Sequence, residues 1–175
     1  MGRMKIPKIC LDNVSLVFVN SIRYLGIVLH EHSFDTDDMK RHIRYIYSRG
    51  NLLTRKFRNC TKEVKCKLFK TFCYSMYGGN LWTNYSKCMF DKVKVAFNNI
   101  YRYMFNVKRG ESISASMLNN NIDCFSVLLR KYHFSFRKRV FNSCNMYVKT
   151  VVNSFYFNHC SSFHNIWNKN LFTFT

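Results

Sequence analysis

The sequence predicts an α+β protein that is mostly α, with a short N-terminal antiparallel β-hairpin or sheet followed by a helical bundle. Residues 5–29 are rich in β-branched and apolar side chains and contain a turn pair at Asp12-Asn13. From Asp35 onward, apolar residues recur in steps of three and four, which is the spacing of one face of a helix. The single proline, Pro7, is consistent with a mainly helical chain.

The chain is strongly basic. It has 28 Lys+Arg against 9 Asp+Glu among 175 residues, a formal net charge of +19. This excess is larger than solubility requires, and it indicates a polyanionic partner, with nucleic acid first and an anionic membrane second. No apolar run reaches the length of a membrane span and no secretory signal is visible, so we expect an intracellular protein, nuclear or cytoplasmic. The eight cysteines contain no C-x-x-C pair, and we expect them to be reduced and mostly buried.

Three strands are predicted at the start of the chain, over residues 5–11, 14–19 and 22–29. Gly26 lies inside the third run, where a glycine usually marks a bulge or the close approach of another backbone. An isolated hairpin is only marginally stable, so this small sheet needs a neighbour. The sequence around Gly26 therefore predicts a contact point, and the net charge makes a polyanion the expected partner.

A long helix is predicted to begin after Asp35, which is a good N-cap. Asp37 and Asp38 would lie in its first turn, where the helix dipole favours negative charge. Its apolar stripe consists of Met39, Ile43, Ile46, Gly50, Leu53 and Phe57. Gly50 costs about 1 kcal/mol relative to alanine inside a helix, so its place in this stripe predicts a close crossing with another helix.

The opposite side of this helix is basic and carries Lys40, Arg41, Arg44, Arg55 and Arg58. These cations have almost no acidic residues at i±4, so helical ion pairs do not account for them. Like charges on one face repel one another unless something neutralises them. Contact with phosphate is therefore favoured over a merely solvated surface.

Further helices are predicted along the rest of the chain. Thr61 is expected to cap a helix that runs to about Tyr77, before Gly78-Gly79 interrupts the pattern. Three more are predicted over residues 87–107, 114–119 and 122–141, and the last of these has a basic outer face. Residues 146–157 are a weaker candidate, and the aromatic residues after them show no clear period.

The carboxylates do not form a self-sufficient two-metal site. Paired carboxylates hold the metal ions of polymerases, but Asp37-Asp38 opens a helix and no other adjacent acidic pair occurs. Cys144, His159, Cys160 and His164 lack the C-x-x-C half of a zinc finger, so a tail without metal is favoured. No Ser or Cys lies in a recognisable nucleophile setting, and nothing indicates a small-molecule substrate.

The run from Ser21 through Tyr24-Leu25-Gly26 to Leu29 resembles the segment that ends the palm of non-LTR retrotransposon reverse transcriptases. The resemblance continues in order through Phe34-Asp35, Asp38-Met39-Lys40, Arg49-Gly50-Asn51, Leu81-Trp82-Thr83-Asn84-Tyr85-Ser86-Lys87, Val93-Lys94-Val95-Ala96-Phe97-Asn98 and Ser114-Ala115-Ser116-Met117. It covers about residues 15–140. The ordered series is more specific than Tyr24-Leu25-Gly26 alone.

This resemblance implies that residues 15–29 form a primer-grip hairpin and that a helical, thumb-like bundle follows. Residues 1–33 would end the palm, residues 34–142 would form the thumb and post-thumb region, and residues 143–175 would be a poorly defined helical and aromatic tail. The implied partner is an RNA–DNA or DNA duplex gripped through its backbone. The implied contact residues are Arg23, Tyr24, Leu25, Gly26, Lys40, Arg41, Arg44, Arg55 and Arg58.

The family's catalytic aspartates belong to palm sequence that would precede residue 1. The chain is therefore expected to be a fragment of a longer frame or a decayed copy, inactive alone, with Mg²⁺ bound only when the missing palm is present. Two other functions stay open: a free-standing basic helical nucleic-acid-binding module with no polymerase role, and a membrane-surface or structural helical protein. A primer grip would prefer a recessed 3′ end, whereas a free-standing module would not.

Overall fold

The computed structural model of the chain describes residues 10–12 and 14–172, and all of their side chains except those of residues 160 and 168–172. Within these ranges the fold is α+β and mostly helical, as predicted. The strands are β1 Cys10–Leu11, β2 Val14–Ser15, β3 Ser21–Tyr24 and β4 Ile27–His30. The helices are α1 Thr36–Lys56, α2 Lys62–Cys73, α3 Lys87–Phe105, α4 Ile113–Asn119, α5 Phe125–Phe141, α6 Met146–Asn153, α7 Phe155–Cys160 and α8 Ser162–Phe172, and a 3₁₀ turn at Gly79–Leu81 lies between α2 and α3.

The strands form two separate antiparallel hairpins, β1–β2 and β3–β4. In the second hairpin Ser21 lies opposite His30 and Tyr24 lies opposite Ile27. The prediction of one strand over residues 22–29 is therefore wrong, because Leu25 and Gly26 form a turn there. Their φ angles are 46° and 80°, and a type I′ hairpin turn requires positive φ at both central residues.

The two earlier strand predictions were too long or lie partly outside the described residues. The predicted strand over residues 14–19 ends at Ser15, and residues 16–19 belong to no strand. Of the predicted strand over residues 5–11, only Cys10–Leu11 lies within the described ranges. The predicted turn residue Asn13 lies outside them.

The helices follow the predicted order with shifted ends. α1 begins after Asp35 and α3 begins at Lys87, as predicted. α2 ends at Cys73 and does not reach Tyr77. The carbonyls of Tyr74 and Tyr77, which lie past its end, accept side-chain hydrogen bonds from Tyr132 and Arg41. The tail, where periodicity was weak, forms the three short helices α6 to α8. None of the helices in the described ranges is long and apolar enough to cross a membrane.

The main core lies between α1, α2, α3 and α5, and α1 crosses α3 at Gly50, as the sequence predicted. A Cβ atom added at Gly50 would lie 2.7 Å from Ile100 Cδ1 and 2.8 Å from Ile100 Cγ1. Ile100 is fully buried. The missing side chain therefore sets how closely the two helices approach. Other members of this core include Met39, Ile46, Leu53, Phe69, Val93, Phe97 and Phe125.

Replacing Gly50 by alanine should destabilise the fold. Alanine improves helix propensity by about 1 kcal/mol, but overpacking against a buried side chain costs about 1–3 kcal/mol. Ile100 cannot move away from the added methyl group, so we expect a net loss in the free energy of unfolding, measured by urea denaturation. Gly110→Ala is the matched control, because nothing lies within 4 Å of the position its Cβ would take. Equal stability of the two variants would contradict the close crossing.

A second, smaller apolar cluster joins α5 to the tail helices. Val152, Phe157 and Trp167 form its buried centre, and Phe136 and Val140 of α5 pack against it. Phe125 and Leu129, at the other end of α5, belong to the main core. Helix α5 therefore contributes to both clusters, and we call the second one the tail cluster.

The cysteines are mostly not buried, contrary to the prediction. Only Cys73 is buried among the cysteines whose side chains are described, and burial raises its pKa to about 12. Cys10, Cys88 and Cys144 are exposed, and the described cysteines are all unpaired thiols. The core is filled mainly by large aromatic, aliphatic and methionine side chains.

Candidate nucleic-acid interface

The β3–β4 hairpin is fixed to the helical body by the carboxylate of Asp38, which is 1% exposed. Asp38 Oδ1 accepts hydrogen bonds from the Val28 backbone N–H at 3.1 Å and from Arg41 Nε at 2.7 Å. Asp38 Oδ2 accepts a hydrogen bond from Trp82 Nε1 at 2.9 Å. One buried carboxylate therefore joins strand β4, helix α1 and the segment that follows the 3₁₀ turn.

The hydrogen bonds decide the ionisation of Asp38. Burial alone would raise the pKa of its carboxyl group, but the donors on Arg41, Trp82 and Val28 outweigh burial and hold the pKa below its ordinary value. Asp38 is therefore an anion whose three donors come from three segments of the chain. The sequence correctly placed Asp38 in the first turn of the helix, where the dipole favours a negative charge, but it did not predict these hydrogen bonds.

Arg41 does not belong to the exposed basic face on which it was predicted. Its side chain is buried, its Nε donates to Asp38, and its Nη2 donates to the Tyr77 carbonyl at 3.1 Å. Its guanidinium also lies over the Tyr45 ring, 5.3 Å from the ring centroid. The prediction failed because strand β4 and the Tyr77 segment cover α1 near its start, on the side away from the apolar stripe. Arg41 is thus unavailable to phosphate.

The turn of the hairpin is supported by Tyr77, which no sequence pattern singled out. Tyr77 Oη donates a hydrogen bond to the Leu25 carbonyl at 2.7 Å. A Cβ added at Gly26 would lie 3.3 Å from Tyr77 Cε1, so the close neighbour of Gly26 in the fold is this ring, whereas the sequence led us to expect a polyanion there. Tyr77 lies 52 positions from Leu25 in the chain, and local periodicity carries no information over such a separation.

Asp35 precedes α1 as predicted, but its side chain does not cap that helix. Its carboxylate accepts hydrogen bonds from the Thr83 N–H at 2.7 Å and the Asn84 N–H at 2.6 Å. The Asp35 N–H in turn donates to the Asn84 carbonyl. Burial raises the pKa of Asp35, and the two backbone hydrogen bonds offset part of that effect. Asp35 therefore ties the start of α1 to the same distant segment that Trp82 occupies.

The tip of the hairpin presents side chains to solvent. Tyr24 is 61% exposed and Leu25 is 70% exposed, and Arg23 is exposed on the strand beside them. Leu25 adopts a φ of 46°, a region that costs a non-glycine residue on the order of 1 kcal/mol or more. An exposed leucine gains little from the packing that normally offsets such strain. Of the four predicted hairpin residues, three face solvent and Gly26 is half-buried.

The predicted basic face of α1 divides into a paired and an unpaired half. Lys40 is exposed but lies 3.0 Å from the carboxylate of Asp37, and Arg41 is buried against Asp38. Arg44, Arg55 and Arg58 are exposed and form no ion pair with an acidic side chain of the described ranges. Arg58 was predicted on this helix but lies in the turn that follows it, because α1 ends at Lys56. The charge available to an anion is therefore concentrated away from the start of the helix.

Two of these arginines, Arg55 and Arg58, line a cavity of about 430 Å³ between the ends of α1 and α3. The cavity also has contributions from Lys65 of α2, from Tyr103 of α3 and from Asn106, which ends α3. None of the described residues that line it is acidic. We call it the basic pocket. The sequence did not predict Lys65 as a partner of the arginines, because it lies on a different helix.

The described residues contain no group of three or more His, Cys, Asp or Glu side chains placed to hold a metal ion. Asp37 is engaged by Lys40, and Asp38 is engaged by its three donors. Of the four tail residues considered for zinc, the side chain of Cys160 lies outside the described set.

Comparison of the chain with protein-family models, with curated proteins and with solved structures gave no match. The resemblance to non-LTR retrotransposon reverse transcriptases therefore stays a prediction from the sequence.

Proposed function

We propose that this chain is a nucleic-acid-binding, C-terminal part of a retroelement RNA-directed DNA polymerase, which grips a primer–template duplex through backbone contacts. The observation that carries the proposal is a set of exposed arginines, Arg44 and Arg55 on α1 and Arg58 in the turn after it. They have no acidic partner among the described residues, on a chain with a net charge of +19. Unpaired like charges on one face repel one another, and a phosphate backbone removes that repulsion while releasing its own counterions. The part of the proposal that names a polymerase rests on the ordered sequence resemblance to non-LTR retrotransposon reverse transcriptases.

The length of the unpaired face suits a duplex. Arg44 and Arg55 are 11 positions apart on α1, which corresponds to about 17 Å along the helix axis. About five base pairs of duplex cover the same length, at about 3.4 Å per step. Contacts spread along such a face read the backbone and not the base sequence. A polymerase thumb requires this kind of binding, because it must accept every sequence.

The hairpin supports the primer-grip part of the proposal. Asp38 holds the hairpin at Val28, close to the turn, and Tyr77 holds the turn itself, while the side chains of Tyr24 and Leu25 remain exposed at the tip. A grip needs this combination of a fixed backbone and accessible side chains. Backbone strain at an exposed residue such as Leu25 is common where a segment makes a functional contact.

Removing the unpaired arginines should flatten the salt dependence of duplex binding. A variant carrying Arg44→Gln, Arg55→Gln and Arg58→Gln is expected to reduce the slope of log K against log salt by roughly 2 to 3. The measurement is fluorescence anisotropy with a labelled duplex at several salt concentrations. Arg41 is left intact because it is buried.

The matched control removes the same charge elsewhere, through Lys92→Gln, Lys94→Gln and Lys149→Gln at exposed positions outside α1. Equal slopes for the two triple variants would show that α1 is not the contact surface. Comparing a blunt duplex with one that has a recessed 3′ end tests the primer grip separately. Tight binding without preference for the recessed end would instead favour a free-standing binding module.

A further inference from the structure

The basic pocket has the composition of a nucleotide site. Arg55, Arg58 and Lys65 bring three positive charges to one cavity, and each comes without an ion-pair partner among the described acidic residues. Charge-assisted hydrogen bonds from arginine and lysine are the usual means of holding a phosphate. The cavity volume of about 430 Å³ lies within the usual range for small-ligand sites.

An aromatic ring lies at the same cavity. Tyr103 lines it and is 62% exposed, and its hydroxyl has no hydrogen bond to a described residue. Its neighbour Tyr101, by contrast, is buried and bonded to Ser116 and Asn120. Tyr103 therefore offers an open ring face beside three cations. A positive groove with an aromatic platform is the usual arrangement for binding single-stranded nucleic acid.

We propose that the basic pocket binds one unpaired nucleotide of a single-stranded nucleic acid, with its phosphate held by Arg55, Arg58 and Lys65 and its base stacked on Tyr103. This rests on the proposed function, because Arg55 and Arg58 belong to the cations that hold the duplex backbone, and where the duplex ends they would hold the phosphate of the strand that continues. A base inside a duplex is already paired and stacked on both faces. Only an unpaired nucleotide can place its base on Tyr103 while its phosphate lies among the cations.

Replacing Tyr103 tests the proposal. The probe is a labelled oligothymidylate of about ten nucleotides, compared with a blunt duplex, both by anisotropy with the full chain. Tyr103→Leu should weaken binding of the single strand by about tenfold and leave duplex affinity unchanged. Tyr103→Phe should retain single-strand affinity, because it keeps the ring. Tyr147→Leu, at another exposed tyrosine, on α6, is the control and should change neither affinity.

Each result distinguishes this proposal from the duplex grip. If Tyr103→Leu leaves single-strand binding unchanged while Lys65→Gln weakens it, the pocket binds phosphate alone. The proposal that a base stacks on Tyr103 would then be wrong. Equal loss in Tyr103→Leu and Tyr147→Leu would also overturn it. If the unaltered chain fails to bind duplex but shows Tyr103-dependent single-strand binding, the proposed duplex grip fails and the nucleotide site stands.

Discussion

Replacing Asp38 by asparagine should lower the free energy of unfolding by about 3–5 kcal/mol, which is the usual effect of removing one partner from a buried ion pair. Arg41, which is only 8% exposed, would be left as a buried cation without its anion. The asparagine can place its single carbonyl oxygen toward the donors on Val28 and Arg41, but its NH₂ group would then face the Trp82 N–H. Two donors would thus oppose each other in a buried space.

The chain provides a matched control one residue away. Asp37→Asn removes the same charge from the first turn of α1, but Asp37 and Lys40 are both exposed. An exposed pair contributes only about 0–1 kcal/mol. Urea denaturation of both variants, followed by circular dichroism, gives the comparison. A loss for Asp37→Asn as large as that for Asp38→Asn would contradict a specific role for the buried carboxylate.

Asp38→Asn should also affect binding if the hairpin is part of the interface. The carboxylate holds strand β4 through the Val28 N–H, and a neutral amide oxygen accepts that hydrogen bond less strongly, so the substitution should loosen the hairpin against α1. Under conditions where the variant is still folded, duplex with a recessed 3′ end should bind it more weakly, whereas Asp37→Asn should bind like the unaltered chain. Unchanged binding would show that the hairpin does not contact the duplex. The interface would then consist of the arginines of α1.

Lowering the pH from 6.5 to 4 should reduce the free energy of unfolding by about 3 kcal/mol through His42 alone. Burial, and then the positive charge of Arg41, lower the pKa of His42 from 6.5 to about 4. Between these values His42 binds a proton in the unfolded chain but stays neutral in the folded chain. The contribution of His42 to the free energy of unfolding is therefore fully present above about pH 6.5 and decreases as the pH falls. Below about pH 4 it decreases no further.

His42→Phe should remove this part of the pH dependence. The His42 ring lies edge-on to Trp82 with centroids 5.3 Å apart, a contact that a phenyl ring can keep. His42 Nε2 is buried and has no hydrogen-bond partner in the described part of the chain, so losing it should not reduce stability at neutral pH. His159→Phe, at an exposed histidine of α7, is the control. A variant at His42 that keeps the full decline between pH 6.5 and 4 would show that another group causes it.

Two other groups extend the acid sensitivity. Burial also lowers the pKa of His133, although the Gly79 carbonyl bonded to its ring partly opposes the effect, so His133 acts in the same direction as His42. Asp38, whose pKa is below 3.8 in the fold, contributes stability that is lost only as the pH falls below that value. The histidine and carboxylate contributions therefore occupy different parts of an acid titration.

Local patterns in the sequence predicted the helical body well. Periodicity placed α1 and α3, because one face of each helix is buried in the same core. Gly50 was the most informative single residue, since a glycine in an apolar stripe has few explanations other than a close crossing. The hairpin turn was misassigned because Leu25 is a poor residue for positive φ, and only Gly26 gave a turn signal.

The candidate site could be predicted only where it is local to one helix. Arg44, Arg55 and Arg58 were correctly expected to be exposed, but the burial of Arg41 depends on Tyr77, which lies 36 positions away. Lys65 and Tyr103 joined the site through packing between three helices. A helical wheel describes one helix surrounded by solvent, so it cannot show which part of its polar side another segment covers.

The two apolar clusters along α5 have a consequence for dissecting the chain. A protein shortened after residue 142 would retain α5 but leave Phe136 and Val140 facing water, because Val152, Phe157 and Trp167 cover them. Such an exposed apolar end promotes self-association. Aggregation of that truncated protein would then result from the apolar side chains that the truncation exposes. It would not show that residues 34–142 are unable to fold. A soluble shortened version would need polar replacements at Phe136 and Val140.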